Sequence, residues 1–331
     1  MRKFILAASV AAAGLLASGG AFAADGKSIC FAYQTLETEF WVAGHKAITK
    51  SLADKGIDVI EVNANEDANR QLEQVRDCIT QGVDGIIIIP QDGESVIKMI
   101  AEANEAGVPV AVFNRPPNPS NPNDAIVVVA DNVAIAEAAV EHLTKEARAL
   151  NLDRKVQPLI MVGALADTNA IGRREGFFNV INANPDLYAE PIEVPTEWDA
   201  TVALANLESA MQAKPDVDVI FTSSDFLFPQ IRAVLLQQGR WVPSGEEGHM
   251  ILGGLDGDVT ACNLIREGYV DSTGVQDLFF EADSTVEALL AAIESGDKAP
   301  NQMIHDEGFA LTQDNEPERH ADMWGCVLAD Q

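Results

Sequence analysis

Basic residues are scarce in this chain: 22 Lys and Arg stand against 51 Asp and Glu, a formal net charge of −29. A surface so negative repels nucleic acid and anionic membranes. It disfavours a polyanionic ligand, although a local Arg cluster still suffices for one small anion. The acids are spread along the sequence and not gathered in a tail, the pattern of a solvated surface suited to a salty medium. Long apolar runs are equally scarce. Beyond the N-terminal stretch, the longest, Ile86 to Pro90, has only the length of a strand, so no second segment spans a bilayer. Cysteine is confined to Cys30, Cys78, Cys262 and Cys326. None forms a C-x-x-C pair, which removes support for zinc or thioredoxin-like chemistry, and the four allow three pairings or free buried thiols. The five histidines (His45, His142, His249, His305 and His320) lack ligand spacing. Asp314-Asn315-Glu316 lacks the Asp/Asn alternation and the Gly of a calcium loop. Neither a metal nor a cofactor is expected. Also missing are G-x-G-x-x-G after a strand, G-x-x-x-x-G-K-[ST], H-E-x-x-H and G-x-S-x-G, so enzyme signatures are thin.

What is present begins with an export signal. Arg2 and Lys3 precede an apolar stretch, Phe4 to Leu16, and small residues lead to Ala21-Phe22-Ala23, an A-x-A cleavage pattern. Cleavage after Ala23 leaves 308 residues in which 20 basic residues face 51 acidic ones, a net of −31. With no cysteine at the cleavage point, a lipoprotein is not expected. Export places the chain in an oxidising compartment where disulfides are permitted. The length suffices for two domains of about 150 residues each.

Short β-branched runs alternate with longer amphipathic stretches. The pattern predicts strands at Lys27–Tyr33, Ile57–Val62, Asp84–Ile89 and Val108–Phe113, separated by helices at Phe40–Lys55, Glu66–Gln81 and Glu94–Ala106. The continuous Ile86-Ile87-Ile88-Ile89 fits a parallel strand buried on both faces. After a loop with four prolines, Pro116 to Asn123, the pattern restarts. Helices are predicted at Asn132–Leu150, around Gly172–Asn182, and at Thr201–Ala213, Asp225–Gln238, Val259–Glu267 and Asp277–Ser295. Strands are predicted at Gln157–Val162, Val217–Thr222, His249–Gly254 and Tyr269–Val275. Two α/β layers of similar size are the simplest account.

Ligands of open parallel sheets bind beyond the carboxyl ends of the strands. The residues there are Thr38, Phe40 and Trp41; Gln91 and Asp92; Asn114 and Arg115; Asn169, Arg173 and Arg174; Trp198 and Asp199; Ser223, Ser224 and Asp225; Leu255 and Asp256; and Gln276. Forked hydrogen-bonding groups and aromatic faces of this kind suit a neutral polyhydroxyl ligand: the first grip adjacent hydroxyls and the second cover the C–H face of a ring. Plainer roles compete. Asp92, Asp225 and Asp131-Asn132 read as helix starts. Arg115 is either a hydroxyl clamp or an inter-lobe ion-pair partner. Of the consecutive Arg173 and Arg174, only one is able to face a cleft.

Four segments resemble the periplasmic ribose-type sugar-binding proteins of ABC importers, a type I periplasmic binding protein family: Gly82-Val83-Asp84-Gly85-Ile86-Ile87-Ile88-Ile89-Pro90, Gly107 to Arg115, Arg173-Arg174-Glu175-Gly176-Phe177, and Gly254-Leu255-Asp256-Gly257. The resemblance covers essentially the whole mature chain. It implies two Rossmann-like lobes, each a parallel sheet flanked by helices, joined by a three-strand hinge. The N-terminal lobe would comprise residues 24–130 plus 277–309, and the C-terminal lobe 131–276 plus 310–331. It implies ligand contacts from Phe40, Trp41, Trp198, Asn114, Arg115, Arg173, Asp256 and Gln276. Thr38 and Ser224 stand where ribose binders typically have Asn, and Asn114 where many members have Asp, so a different pentose, a hexose or a sugar alcohol is as good a candidate as ribose. It also makes Cys30–Cys78 and Cys262–Cys326, each within one lobe, the natural disulfides.

The expected function is capture of a small neutral polyhydroxyl ligand in the periplasm by hinge closure, with delivery to the membrane permease of an ABC importer, by a protein that is not an enzyme and is monomeric. One alternative is a receptor read by a chemosensory or kinase ectodomain. The other is a secreted carbohydrate-active enzyme, for which Asp256 with Glu37 or Glu39 is the only carboxylate pair to assemble. A DNA-binding sugar-responsive repressor is excluded by the export signal, the charge and the lack of a helix-turn-helix segment.

Overall fold

The computed structural model describes residues 26–330. The export signal and its cleavage site lie outside the described residues. The chain begins as a run of strand–helix units: β1 (Ser28–Tyr33), α1 (Glu39–Asp54), β2 (Asp58–Asn63), α2 (Ala68–Gln81), β3 (Gly85–Ile89), α3 (Ser95–Ala106), β4 (Val110–Phe113) and β5 (Ile126–Ala130). A second run follows: α4 (Asn132–Ala149), β6 (Pro158–Val162), α5 (Thr168–Ala183), β7 (Ile192–Pro195), α6 (Ala200–Ala213), β8 (Val219–Thr222), α7 (Phe228–Gln237), β9 (Ile251–Asp256), α8 (Val259–Arg266) and β10 (Ser272–Val275). The chain then returns through α9 (Leu278–Ser295) and β11 (Gln302–Asp306), and ends with β12 (Phe309–Thr312), α10 (Glu316–Arg319) and α11 (Trp324–Ala329).

Two six-stranded sheets result, in the orders β11-β5-β4-β3-β1-β2 and β12-β10-β9-β8-β6-β7. Pairing is parallel throughout the first, and in the second only β12 runs antiparallel, against β10. The central strands explain the order. All five residues of β3 are buried, because helices cover both faces of the sheet. Each sheet has one apolar cluster on either face, from Ile29, Phe31 and Phe113 on one side of the first sheet to Ile86, Ile88 and Val112 on the other. Helices α2 and α3 stop at Gly82 and Gly107, whose φ of 78° and 72° is the left-handed end that glycine takes without strain.

The chain passes between the sheets three times, at Asp131, at Gln276-Asp277 and at Glu307-Gly308. Asp306 ties these passages together. Its carbonyl accepts from Asp131 N (2.9 Å), and its carboxylate accepts from Asp277 N (2.6 Å) and Gly308 N (2.9 Å). Gly308 has no room for a side chain there: a Cβ would lie 2.4 Å from Val275 O and 2.3 Å from Ile135 Cδ1. Disulfides join Cys30 of β1 to Cys78 of α2 and Cys262 of α8 to Cys326 of α11, with Cα separations of 6.0 and 5.3 Å. The second bridge also consumes both sulfurs of the one His/Cys/Asp/Glu grouping with metal-like spacing among the described residues, Cys262, Glu316, His320 and Cys326.

Three expectations need correction. Helix α5 starts at Thr168, ahead of the Gly172–Asn182 reading, because Asp167 caps it by accepting from Asn169 N. The stretch from Asp225 is not one helix: a 3₁₀ turn at Asp225–Leu227 precedes α7, which has Pro229 in its first turn. Asp225 does not cap it. The side chain is fully buried and accepts from Thr273 Oγ1 (2.7 Å) and Gly257 N (2.7 Å), pinning the loop after β9. Asp131 does cap α4, accepting from Ala134 N (3.0 Å), whereas Asp92 stands two residues ahead of Glu94, the cap position of α3, and accepts from Ser95 N (2.7 Å). No helix among the described residues is long and apolar enough to cross a membrane.

Candidate functional site

The carboxyl ends of both sheets face one cavity of about 800 Å³ between the two α/β units. Nine of the ten predicted ligand residues line it: Thr38, Phe40, Trp41, Asn114, Arg115, Arg173, Trp198, Ser224 and Asp256. The tenth, Gln276, is fully buried behind the wall and braces it. Arg173 is the inward member of its pair. Arg174 points out, with Nε 2.6 Å from Glu193.

The wall from the first sheet is aromatic. Phe40 and Trp41 open α1 and meet edge to face, with ring centroids 5.0 Å apart. Thr38 is the N-cap residue of α1, but its side chain makes no capping hydrogen bond, so its hydroxyl is not occupied by the helix. Trp324 of α11, which the sequence reading overlooked, packs against Phe40 with centroids 5.8 Å apart and donates from Nε1 to Asp256 O (2.9 Å). The C-terminal helix therefore reaches across to the cleft from behind. The opposite wall carries Trp198 and Phe226, 6.4 Å apart. Trp198 lies flat on the backbone of Gly163, where a Cβ would fall 2.1 Å from the indole.

Between the walls runs a buried polar ring. Arg173 Nε donates to Asn132 Oδ1 (2.7 Å), and its Nη1 sits 2.9 Å from Asp256 Oδ1. Gln276 Nε2 donates to the same Asp256 oxygen (2.7 Å), while Ser224 Oγ donates to the other. Asn114 Nδ2 donates to Gln276 Oε1 (2.8 Å), Asn169 Nδ2 donates to Asn114 Oδ1 (3.1 Å), and Asn132 Nδ2 donates to Asn169 Oδ1 (3.1 Å). Every member is buried, and buried polar groups tolerate such a place only when paired. Arg173, Gln276 and Ser224 thus hold Asp256 in place and leave its oxygens room for about one further donor. Burial raises its pKa, and the Arg173 guanidinium works against that rise.

A second cluster joins the units directly. Arg115 Nη1 donates to Gln91 O (2.8 Å) and to Gln34 Oε1, and Nε lies 2.9 Å from Asp167 Oδ2, in ionic contact without a well-aligned hydrogen bond. Trp198 Nε1 donates to that same oxygen (3.1 Å). Both charges are almost wholly buried, at 7% and 5% side-chain exposure. The two readings of Arg115 are therefore compatible: Nε makes the inter-unit pair, and Nη2 has no protein acceptor among the described residues. The same holds for Nη2 of Arg173. Asp167 and Gln34 went unread because neither ends a family-like segment, although a capping Asp ahead of α5 was a usable signal.

Backbone strain gathers here as well. Of the seven non-glycine residues with positive φ among the described residues, six line the cavity: Asn65, Glu66, Asn114, Glu197, Trp198 and Asp256. Such conformations persist where the surroundings over-determine them, and they cluster at binding sites.

Two parallel α/β units, three crossings and a polar, aromatic cavity between the strand ends define the type I periplasmic binding protein class. The chain belongs to the periplasmic binding protein domain family, whose sequence profile matches residues 29–298. Its members are solute-binding proteins, not enzymes. Among curated relatives, the ribose import binding protein of Bacillus subtilis is 26% identical over 75% of this chain and 76% of its own length. The D-apiose import binding protein of Actinobacillus succinogenes is 23% identical over 85% of this chain and 86% of its own. Among solved structures, a Caulobacter myo-inositol binding protein with myo-inositol bound superposes with a TM-score of 0.79 at 19% identity, covering 88% of this chain and 95% of its own. That similarity speaks for the fold.

Proposed function

We propose that this chain is a periplasmic receptor that captures a monosaccharide or sugar alcohol and hands it to the permease of an ABC importer. The observation that carries this reading is the cavity itself. Aromatic faces stand on both walls, and the Nη2 groups of Arg115 and Arg173 have no protein acceptor among the described residues. The names of the relatives, which include ribose, apiose and xylose binders, support a sugar over other small solutes. The lobes, 24–130 plus 277–309 and 131–276 plus 310–331, close about the three crossings. A ligand touching both walls favours the closed form by its differential contacts. Thr38, Phe40, Trp41, Asn114, Arg115, Arg173, Trp198, Ser224 and Asp256 form the contact set, with Gln276 bracing it from behind. The receptor acts as a monomer, without nucleic acid.

A thermal-shift screen of refolded, ligand-stripped protein against pentoses, hexoses and polyols tests this reading. Ligand that binds only the native state raises the melting temperature by mass action. A rise confined to one stereochemical series is the expected result. No rise with any sugar or polyol overturns it, and small anions and amines then become the next ligands to try.

A further inference from the structure

The segment that ends β4 places Asn114 where many members of the resembled family have Asp. The structure holds a physical reason for the amide. Asn114 is 1% exposed, and its Nδ2 donates both to Gln276 Oε1 (2.8 Å) and to Glu281 Oε2 (2.9 Å). Glu281 lies in the first turn of α9 with no exposure at all, and its Oε1 has no hydrogen-bond partner. A carboxylate at position 114 would turn both contacts into acceptor against acceptor, one of them between two buried acids. The charged groups that act on Glu281 are Asp306 of β11 and Asp277 just before α9, which oppose its ionisation, and Arg173 of α5, which favours it. Two acids and one shared cation leave it short of positive charge.

We propose that Glu281 is a positioning residue for ligand selection. It consumes an N–H of Asn114, fixes the amide, and excludes a carboxylate from the cleft floor. Because both N–H groups are taken by Gln276 and Glu281, Asn114 offers the cavity only its carbonyl, which already accepts one bond from Asn169. One uncharged acceptor site remains where an Asp would present an anion to a pair of adjacent hydroxyls. The floor therefore takes a ring with a single hydroxyl at this point, not a vicinal pair. The ligand half of this inference rests on the sugar-receptor reading, whereas the positioning half stands on the buried contacts alone.

Four ligand-stripped proteins decide it: wild type, Glu281→Gln, Asn114→Asp and the double variant, melted between about pH 5 and 8. An acid whose folded pKa lies above its unfolded value stabilises below the unfolded value, and that stability is lost as pH rises through the folded one. Glu281→Gln should therefore flatten the fall in melting temperature with rising pH. Asn114→Asp should lower it by roughly 5–10 °C at the alkaline end, with the double variant recovering most of the loss. A Glu281→Gln profile parallel to wild type, or losses that simply add in the double variant, overturns the positioning role. If Asn114→Asp does not fold, the Glu281→Gln profile settles that role by itself. For the ligand half, the ratio of D-ribose to myo-inositol affinity should change about tenfold or more between wild type and the double variant. An unchanged ratio overturns it. If neither compound nor any other sugar or polyol binds wild type, the proposed function falls and takes the ligand half with it, while the pH profiles still decide the positioning half.

Discussion

Arg115 and Asp167 form a buried ion pair across the cleft, with Trp198 donating to the same carboxylate oxygen. Removing one partner of such a pair costs more than the pair contributes, because the other charge stays buried and unpaired. Asp167→Asn keeps the shape and the bond from the indole but drops the charge opposite Arg115. Ligand affinity should fall by one to two orders of magnitude, about 1.4–2.8 kcal/mol, and titration calorimetry with whichever sugar the screen selects measures it. Unchanged affinity would mean that the pair contributes nothing to the closed form. Gly163→Ala is a second probe, since its Cβ lands 2.1 Å from the Trp198 indole, which must then leave its seat. Affinity should drop at least about tenfold and the tryptophan emission should shift, while the melting temperature of the free protein moves little. The residues that follow β4, open α1 and end β9 were legible in the sequence because each belongs to a segment of recognisable pattern. Asp167, Gln34 and Glu281 were not, because their roles arise from neighbours more than 50 residues away in sequence, with no local periodicity to mark them.

Local pattern is strongest where an element is buried on both sides. β1, β3 and β4 were readable as apolar runs, and their observed limits differ from the predicted ones by one or two residues. The rule has exceptions both ways: the edge strand β2 was read at Ile57–Val62, while the buried β5 went unread behind the proline-rich loop, as did the edge strands β7 and β11. β7 and β11 are half exposed and mix Glu, Gln, His and Asp with apolar residues, so neither an apolar run nor a clean alternation appears. The C-terminal segment escaped for another reason: α11 is only six residues long and carries its weight through one side chain. Trp324 is 1% exposed, touches Phe40 and donates to the carbonyl of Asp256, while Cys326 two residues on is bonded to α8. Trp324→Ala should destabilise the protein by about 3–5 kcal/mol. Because Phe40 loses its backing, ligand affinity should fall as well. Denaturant melts and calorimetry on the same variant separate the two effects, and a stability loss without any affinity loss would confine Trp324 to the core. Loops of 48 and 64 residues closed by the disulfides give on the order of 4 kcal/mol each by chain entropy. Cys30→Ser/Cys78→Ser and Cys262→Ser/Cys326→Ser should each lower the denaturant midpoint. Only the second pair, which anchors α11, should also weaken ligand binding.

At the scale of the whole molecule two kinds of acid act at once. Most of the 51 acids belong to a surface with few cations, and their mutual repulsion grows as they ionise. A smaller set is buried around the cleft and the crossings. Burial raises Asp256, Asp258, Glu281 and Asp306, and it pushes Asp225, with Asp256 beside it, up to about 7. Raised folded values mean that these groups stabilise below about pH 4, and that this contribution drains away as pH climbs through the folded values. Surface repulsion changes in the same direction with pH, so pH alone does not separate the two. Salt does, because exposed charges are screened beyond a Debye length of about 10 Å at 0.1 M while buried ones are screened much less. Glu102, Asp186 and Asp330 pull the other way, held low by hydrogen bonds from Arg76, Arg148 and His320, but Asp186 and Asp330 are exposed and Glu102 partly so, and their effect fades with salt too. Melting curves from about pH 4.5 to 8 in about 0.02 M and about 0.5 M NaCl should therefore show two components. The low-salt curve falls steeply with rising pH, and added salt raises the alkaline end most. A residual fall survives in high salt as the raised buried carboxyls give up their protons, Asp225 at about pH 7. If high salt abolishes the pH dependence altogether, the carboxyls around the cleft titrate like surface groups, and the buried arrangement of Asp225, Asp256 and Glu281 is not the one that predominates in solution.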